Sequence, residues 1–368
     1  MTQPQFRIFT LALLVFLSII PRMTRAQDWS AQIDPLFADC NRPDVPGASV
    51  LVALDGKILI SRGYGLANLD PKTPAAENTN YRLASVTKQF TAMCIMILKD
   101  RGQLSFDDPL TKFFPDFPEI GKTITVRQVL NHTSGLVAYE DLMPPDTTKP
   151  ILDAGVLALL KTQHGTYFTP GTRYRYSNSG YALLAQIVEK ISGQTFAAFL
   201  KENIFTPLHM DNTIAFEDGI STVTNRAYGY KPTDDGFVFA DQSMTSAVLG
   251  DGGIYSSILD CYKWDQALYT EQLVTSATLA EAFTSGRLAD GSETNYGFGW
   301  RLSELNGLKC INHTGTSTGF NNAVYRIPEK RLSVVVLSNR TGKNSHDAAP
   351  KIAEMILEKI SQPSNPSR

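Results

Sequence analysis

The sequence predicts an α/β chain of the α+β kind, with one antiparallel sheet assembled from both termini and a helical subdomain inserted between its halves. Three observations predict this. Two β-rich runs joined by Asp55-Gly56 stand near the N-terminus. Segments of helical period fill the middle. Short β-branched and aromatic runs return near the C-terminus and end in an amphipathic helix.

Taken in order, Ile8 to Ile20 is an apolar run behind the single positive charge of Arg7, and Pro21 breaks it. It is short for a spanning helix and is followed by small or modest side chains at Thr24 and Ala26. This pattern predicts an export leader over residues 1–26, cut before Gln27, with an uncleaved N-terminal anchor as the other reading. The expected location is secreted or periplasmic. "WSAQIDPLFADC" has helical spacing. "GASVLVALDGKILISRGYG" reads as a β-hairpin, because Asp-Gly suits its tight turn.

"YRLASVTKQFTAMCIMILKDRGQL" predicts a helix starting near Ser85, buried on most faces, and ending at Gly102. "ITVRQVLNHTSGL", "ILDAGVLALLKTQ", "GYALLAQIVEKISG", "TFAAFLKENIF" and "ILDCYKWDQALYT" are helical in period and separated by Pro- and Gly-bearing loops. "YGFGWRLSEL", "LKCINHT", "FNNAVYRIPE" and "RLSVVVLSN" read as strands, and "HDAAPKIAEMILEKI" as the closing helix. The expected division is a sheet unit from 27–84 and 290–362, a mainly helical unit from 85–289, and a loose tail at 363–368.

Hydrophobic residues make up 43% and charged residues 19% of the 368, which places the chain among globular proteins. Net charge is −2 and no basic stripe with interleaved aromatics occurs, so a nucleic-acid partner is not expected. The expected partner is a small-molecule or peptide substrate, with no membrane insertion beyond the leader. Cys40, Cys94, Cys261 and Cys310 match no zinc spacing, and Cys94 sits in an apolar run that predicts a core thiol. His164, His209 and His346 are scattered and suggest no metal site, and His132 reads as a structural loop residue.

Two serines compete for a nucleophilic role. Ser317 lies in G-T-S-T-G, which fits the G-x-S-x-G elbow. That elbow needs a helix after the serine, yet "FNNAVYRIPEK" alternates like a strand. Ser85 lies in "SVTK", three residues before Lys88 at a helix start. That spacing puts hydroxyl and ammonium on one face, and the helix N-terminus favours a developing oxyanion. A free lysine is too basic to serve at neutral pH, so the role needs burial or a second cation nearby. Alone, S-x-x-K is a weak motif, and Ser85 as a helix cap with a solvated Lys88 explains it as well.

Two more triplets alter the balance. Tyr176-Ser177-Asn178 is the only Y-x-N, and it precedes a helix. A tyrosine beside a lysine can pass a proton, and an asparagine amide can hold a substrate carbonyl or the lysine. His313-Thr314-Gly315 is the only H-x-G and lies on a predicted strand, where glycine would let a substrate lie against the backbone. The Asp251-Gly252-Gly253 stretch reads as a tight turn needing positive φ.

S-x-x-K, Y-x-N and H-T-G in this order, around a helical insert, resemble the serine β-lactamase and penicillin-binding-protein group. The likeness is to the branch holding class C β-lactamases, D,D-carboxypeptidases, D-amino-acid-specific peptidases and lactamase-like esterases. It extends to "PGTRYRYSNSGYALLAQIVEKISGQTF", "IFTPLHMDNT", "GDGGIYSS" and "YGFGW". The resemblance implies a β-lactamase/transpeptidase-like fold and no cofactor or metal. It implies that Ser85 attacks, Lys88 activates it, and Tyr176 relays protons. Asn178, His313, Thr314, Gly315 and Thr316 would bind substrate, with the oxyanion held by the N–H groups of Ser85 and Thr316. Most β-lactamases of the group carry K-T-G, and this chain has no K-[ST]-G. Histidine lacks lysine's permanent charge, so the expectation is an exported serine hydrolase of ester, amide or D-amino-acid peptide bonds, before an efficient β-lactamase. A binder that keeps the fold without catalysis is the rival from another class.

Overall fold

The computed structural model describes residues 29–342 and 345–361. The leader expected over 1–26 and the tail at 363–368 lie outside the described residues. Asp55 and Gly56 have φ of 49° and 70°, as a tight hairpin turn of the right twist requires. They join β1 (Ala48–Leu54) to β2 (Lys57–Tyr64). From the other end of the chain come β3 (Arg301–Leu305), β4 (Leu308–Ser317), β5 (Phe320–Ile327) and β6 (Leu332–Ser338). The six strands form one sheet in the order β3-β4-β5-β6-β1-β2, every neighbouring pair antiparallel. The two chain ends meet where Ala48 pairs with Ser338 and Leu54 with Leu332.

β6 is buried along its whole length, and its alternation divides it between two cores. Leu332, Val334 and Val336 join Ala48, Val50 and Val52 beneath the terminal helices, with Ile33, Phe37, Ile352 and Ile356. Val335 and Leu337 face the opposite way, toward the helical region, with Leu51 and Ala53. Fully burying each such side chain contributes roughly 1.5–3 kcal/mol, so a one-residue slip of β6 would forfeit both cores at once.

The helical region is built on α1 (Lys88–Asp100), α2 (Asp153–Lys161), α3 (Asn178–Ser192) and α4 (Ile258–Ala267), and α5 (Ser345–Ser361) closes the sheet's other face. α1 buries every residue from Lys88 to Leu98, as its near-continuous apolar run predicts. α3 starts at an N-cap where Ser177 accepts from the Gly180 N–H, and it stops at Gly193, whose φ is 70°.

Sequence periodicity misses a small three-stranded sheet of Tyr81–Arg82, Ile254–Ser256 and Ile214–Ala215, because two or three residues carry no period. It matters for the site. It ties the chain leading into Ser85 to the chain leaving Asp251, and the Leu83 N–H donates to the Ile254 carbonyl at 2.8 Å. The Asp251-Gly252-Gly253 stretch also differs from expectation. Leu249–Gly252 is a helical turn, and Gly253 has φ of −89°. Close packing accounts for Gly253 and for the neighbouring Gly250: a β-carbon on Gly250 would lie 2.3 Å from the Tyr181 carbonyl, and one on Gly253 2.7 Å from Leu249 Cα. Cys94, Cys261 and Cys310 are buried thiols, and burial pushes the Cys261 thiol up to about 12.

Candidate active site

The chain enters the site through a strained turn. Ala84 adopts φ of 50°, a left-handed conformation that costs a non-glycine residue about 1–2 kcal/mol. The turn starts the short 3-10 segment Ala84–Thr87, which runs directly into α1. Ser85 therefore sits at the N-terminal end of a helix, and Lys88 is the first residue of α1.

Lys88 has no exposed surface. Its Nζ donates to Ser85 Oγ at 3.3 Å, to Asn178 Oδ1 at 2.9 Å and to the Asp251 carbonyl at 2.8 Å. The Asn178 and Asp251 oxygens thus aim the amine at the serine. The Tyr176 and Tyr181 ring centroids lie 5.0 and 5.5 Å from the same nitrogen. The Tyr176 hydroxyl is buried and makes no protein hydrogen bond among the described residues, so it is unspent beside the lysine. Arg301, on β3, stacks its guanidinium 5.5 Å from the Tyr176 ring centroid.

Asn178 is the first residue of α3, and Ser177 does the capping. Its amide is thereby released to the site, where Oδ1 holds Lys88 and Nδ2 donates to Glu140 Oε1 at 2.8 Å. Beyond these lies a cleft of about 230 Å³ whose lining includes Ser85, Asn178, Glu140, Asp251, Thr316 and Ser317. Lys88 reaches Ser85 from beneath.

The H-T-G strand contributes differently from the sequence expectation. His313 is 1% exposed and absent from the cleft lining. Its Nε2 pairs with the Tyr296 hydroxyl at 2.9 Å and its Nδ1 with the Thr314 carbonyl at 2.7 Å. The Thr314 pairing assigns the proton to Nδ1, leaving Nε2 to accept from tyrosine. Burial, and then the Lys88 charge, push its pKa down to about 3, so the ring is neutral and both nitrogens are used inside the protein. Thr314 and Gly315 also lie outside the lining. What packs on Gly315 is the protein's own Ser85 turn: a β-carbon there would meet the Leu83 carbonyl at 2.2 Å and the Ser85 nitrogen at 3.2 Å. Of the H-T-G strand, Thr316, Ser317 and the adjoining Thr318 reach the cleft.

Ser317 ends β4 and is followed by a turn into β5. No helix begins behind it, and its buried hydroxyl has no partner among the described residues. The geometry of a nucleophile elbow is absent there.

Several residues of the site were not selected from sequence. The Tyr139 hydroxyl donates to Asp251 Oδ2 at 3.1 Å. Burial raises the Asp251 carboxyl to about 6, against the pull of Lys88. His132, read as structural, lies directly under the catalytic candidates. Its ring centroid is 4.3 Å from that of Tyr176 and 4.5 Å from that of Tyr296. Its Nδ1 accepts from the Ser177 N–H at 3.1 Å, and its carbonyl accepts from the Arg175 N–H at 2.9 Å. It thereby fixes the loop that carries Tyr176. Burial, then the Lys88 charge, hold it well below the usual histidine range. Among the described residues no group of three or more His, Cys, Asp or Glu side chains could hold a metal ion.

The chain resembles known proteins over nearly its whole length. It is 32% identical over 348 residues to a penicillin-binding protein of Bacillus subtilis (strain 168), covering 90% of this chain and 76% of that one. It is 30% identical over 319 residues to the D-aminopeptidase of Brucella canis, covering 85% of this chain but 60% of that protein. The solved structure of the D-amino acid amidase from Ochrobactrum anthropi SV3, complexed with L-phenylalanine amide, superposes with a TM-score of 0.76. It is 25% identical and covers 91% of this chain and 100% of that one. The family model described as Beta-lactamase matches residues 33–356, and the chain therefore belongs to the beta-lactamase family.

Proposed function

We propose that this protein is a serine hydrolase that works through an acyl-enzyme on Ser85 and cleaves ester, amide or D-amino-acid peptide bonds. The observation that carries this is the fully buried Lys88 amine, aimed at Ser85 Oγ from 3.3 Å by two further oxygen acceptors. In this reading Lys88 takes the Ser85 proton as Oγ attacks the carbonyl carbon. The Ser85 and Thr316 N–H groups hold the resulting oxyanion. Tyr176 passes the proton to the departing amine or alcohol, leaving the acyl ester on Oγ. Water then attacks that ester, gives its proton to the Lys88–Tyr176 pair, and returns the serine hydroxyl while releasing the acid. The D-aminopeptidase and D-amino acid amidase likenesses support the amide and D-amino-acid part of this reading. The sealed, neutral His313 supports weak handling of anionic β-lactams, because the strand offers no cation there.

The test is a panel of p-nitrophenyl esters, D-Ala-D-Ala peptides, D-amino-acid amides and nitrocefin, with Ser85→Ala as control. Mass spectrometry after a fluorophosphonate or penicillin probe should find the adduct on Ser85. A folded protein with no adduct there and no turnover would identify it as a binder instead. The apolar leader supports export of the chain, and a mature N-terminus at Gln27 is the expected result of terminal sequencing.

A further inference from the structure

The Asp251 carboxyl stands in the cleft with no part in the acyl-transfer steps above. The residue lines the cleft together with Ser85 and is 7% exposed. Its backbone carbonyl accepts from Lys88 Nζ at 2.8 Å, and the same nitrogen reaches Ser85 Oγ at 3.3 Å. A β-carbon on the next residue, Gly252, would lie 3.5 Å from Ala84 Cα, so the turn that carries Asp251 packs on the turn that carries Ser85. That turn is held fast. The Asp153 carboxyl accepts from the Leu249 and Gly250 N–H groups at 2.8 and 2.9 Å, and Thr91 Oγ1 donates to the Gly250 carbonyl at 2.7 Å. The side chain is fixed as well. The Tyr139 hydroxyl donates to Oδ2 at 3.1 Å, and the Tyr139 N–H is itself tied to Ser179 Oγ at 2.8 Å. Oδ1 accepts from no protein group among the described residues. Glu140, the other acid of the lining, is exposed and receives Asn178 Nδ2 at 2.8 Å.

We propose that Asp251 is a further catalytic residue, which holds the water that releases the acyl group from Ser85. The inference rests on the acyl-Ser85 reading given above. An acyl ester on Oγ needs a water aimed at its carbonyl carbon, and hydrogen bonds from both of the water's hydrogens aim it. In the proposed step one hydrogen is bonded to Asp251 Oδ1 while the water oxygen bonds to the acyl carbon. The other hydrogen passes as a proton to the Lys88–Tyr176 pair. The bond from carbon to Oγ then breaks and Oγ takes up that proton. The acid leaves with the water's oxygen and with the hydrogen that Asp251 held, so Asp251 ends as it began. A carboxylate suits this role because it accepts without donating, and its charge offsets the positive charge that grows on the attacking water. Burial disfavours its ionised form, and so do the charges of Glu140 and Asp153, whereas Lys88, the Tyr139 hydroxyl and Arg82 favour it. The balance stands at about 6, so the carboxylate is ionised at neutral pH.

The experiment is rapid-mixing and steady-state hydrolysis of p-nitrophenyl acetate by the wild type and Asp251→Asn. The burst of p-nitrophenol reads attack by Ser85, and the steady rate reads release of the acetyl group. Asparagine keeps an acceptor for Tyr139, keeps the backbone carbonyl on Lys88, and puts a donor where Oδ1 was. The variant should give a full burst at close to the wild-type rate. Its steady rate should fall by on the order of 100-fold, and acetyl-Ser85 should accumulate in the mass spectrum. A burst slowed as much as the steady rate would make Asp251 a support for Lys88 and overturn the inference. The wild type gives a second reading that no folding defect can blur. Its ratio of steady rate to burst rate should rise as pH rises through about 6, and a flat ratio across that window would overturn the inference. A normal burst with an unaffected steady rate in Asp251→Asn sinks the Asp251 inference alone. A wild type with no burst and no fluorophosphonate adduct on Ser85 sinks the acyl-enzyme reading with it.

Discussion

Replacing Gly315 with alanine should slow Ser85 without replacing a single reacting side chain. The added β-carbon would sit 2.2 Å from the Leu83 carbonyl oxygen, 3.2 Å from the Ser85 nitrogen and 3.3 Å from Ala84 Cβ. Real β-carbons do not approach backbone closer than 3.0 Å, so β4 and the Ser85 turn must part by roughly 0.8 Å, close to the 1 Å misplacement that costs on the order of 100-fold in rate. The turn has little freedom to yield, because Ala84 is already in the left-handed region and Leu83 is tied to Ile254. The overpacking itself should cost about 1–3 kcal/mol of stability. The assay is the rate of fluorophosphonate labelling at Ser85, with a thermal melt alongside. Labelling should slow by on the order of 100-fold, with a lower melting temperature and a native circular dichroism spectrum. Gly165→Ala is the matched control, since nothing lies within 4 Å of a β-carbon there. Wild-type labelling and an unchanged melt in Gly315→Ala would refute the idea that this strand sets the nucleophile by backbone contact.

Other expectations are more compact. Ser317→Ala should retain most turnover, since the hydroxyl ends a strand and is hydrogen-bonded to no base among the described residues; abolished turnover in a folded variant would restore Ser317 as nucleophile. His313 has a folded pKa of about 3, depressed from 6.5 by burial, so the stability it contributes is present above pH 6.5 and is lost as pH falls toward 3. Denaturant titrations should therefore show the wild type losing stability relative to His313→Gln on acidification, by up to about 1.4 kcal/mol per pH unit; parallel curves would mean that the ring is not held neutral. Asp153 runs the other way. Burial raises its carboxyl to about 7 even though it accepts from the Leu249 and Gly250 N–H groups. Its stabilising effect is full below about 3.8 and is lost as pH rises through about 7, so the wild type should weaken relative to Asp153→Asn across that window. A constant difference between the two would show that Asp153 does not titrate there.

What could be read from sequence was local in the chain. The Asp55-Gly56 hairpin, the buried run of α1 with its end at Gly102, and the β-branched run of β6 each depend on residues a few positions apart. So does the pairing of Ser85 with Lys88, because one helical turn fixes their spacing whatever else the chain does. Asn178 was legible as a site residue, and holding the lysine was one of its two readings, but its second partner Glu140 was not, since that residue comes from another element. Glu140 and Tyr139 gave no signal at all, and Asp251 and Tyr296 were legible only inside the resembling stretches GDGGIYSS and YGFGW, with no partner attached to either. Each is an ordinary residue in its own segment and becomes part of the site when α1, α3, the Leu249–Gly252 turn and β4 converge.

The H-T-G triplet marks the boundary between the two kinds of information. By itself the sequence determined that a strand carrying His313 and Gly315 belongs with Ser85, Lys88 and Tyr176. Only the tertiary structure decided which way that strand's groups turn: the imidazole inward to Tyr296, the glycine against the Ser85 turn, and Thr316 toward the cleft. Alternation along a strand fixes that neighbouring residues face opposite sides. Which side is solvent, protein or substrate depends on what packs against the strand from elsewhere in the chain, and that is a property of the folded whole.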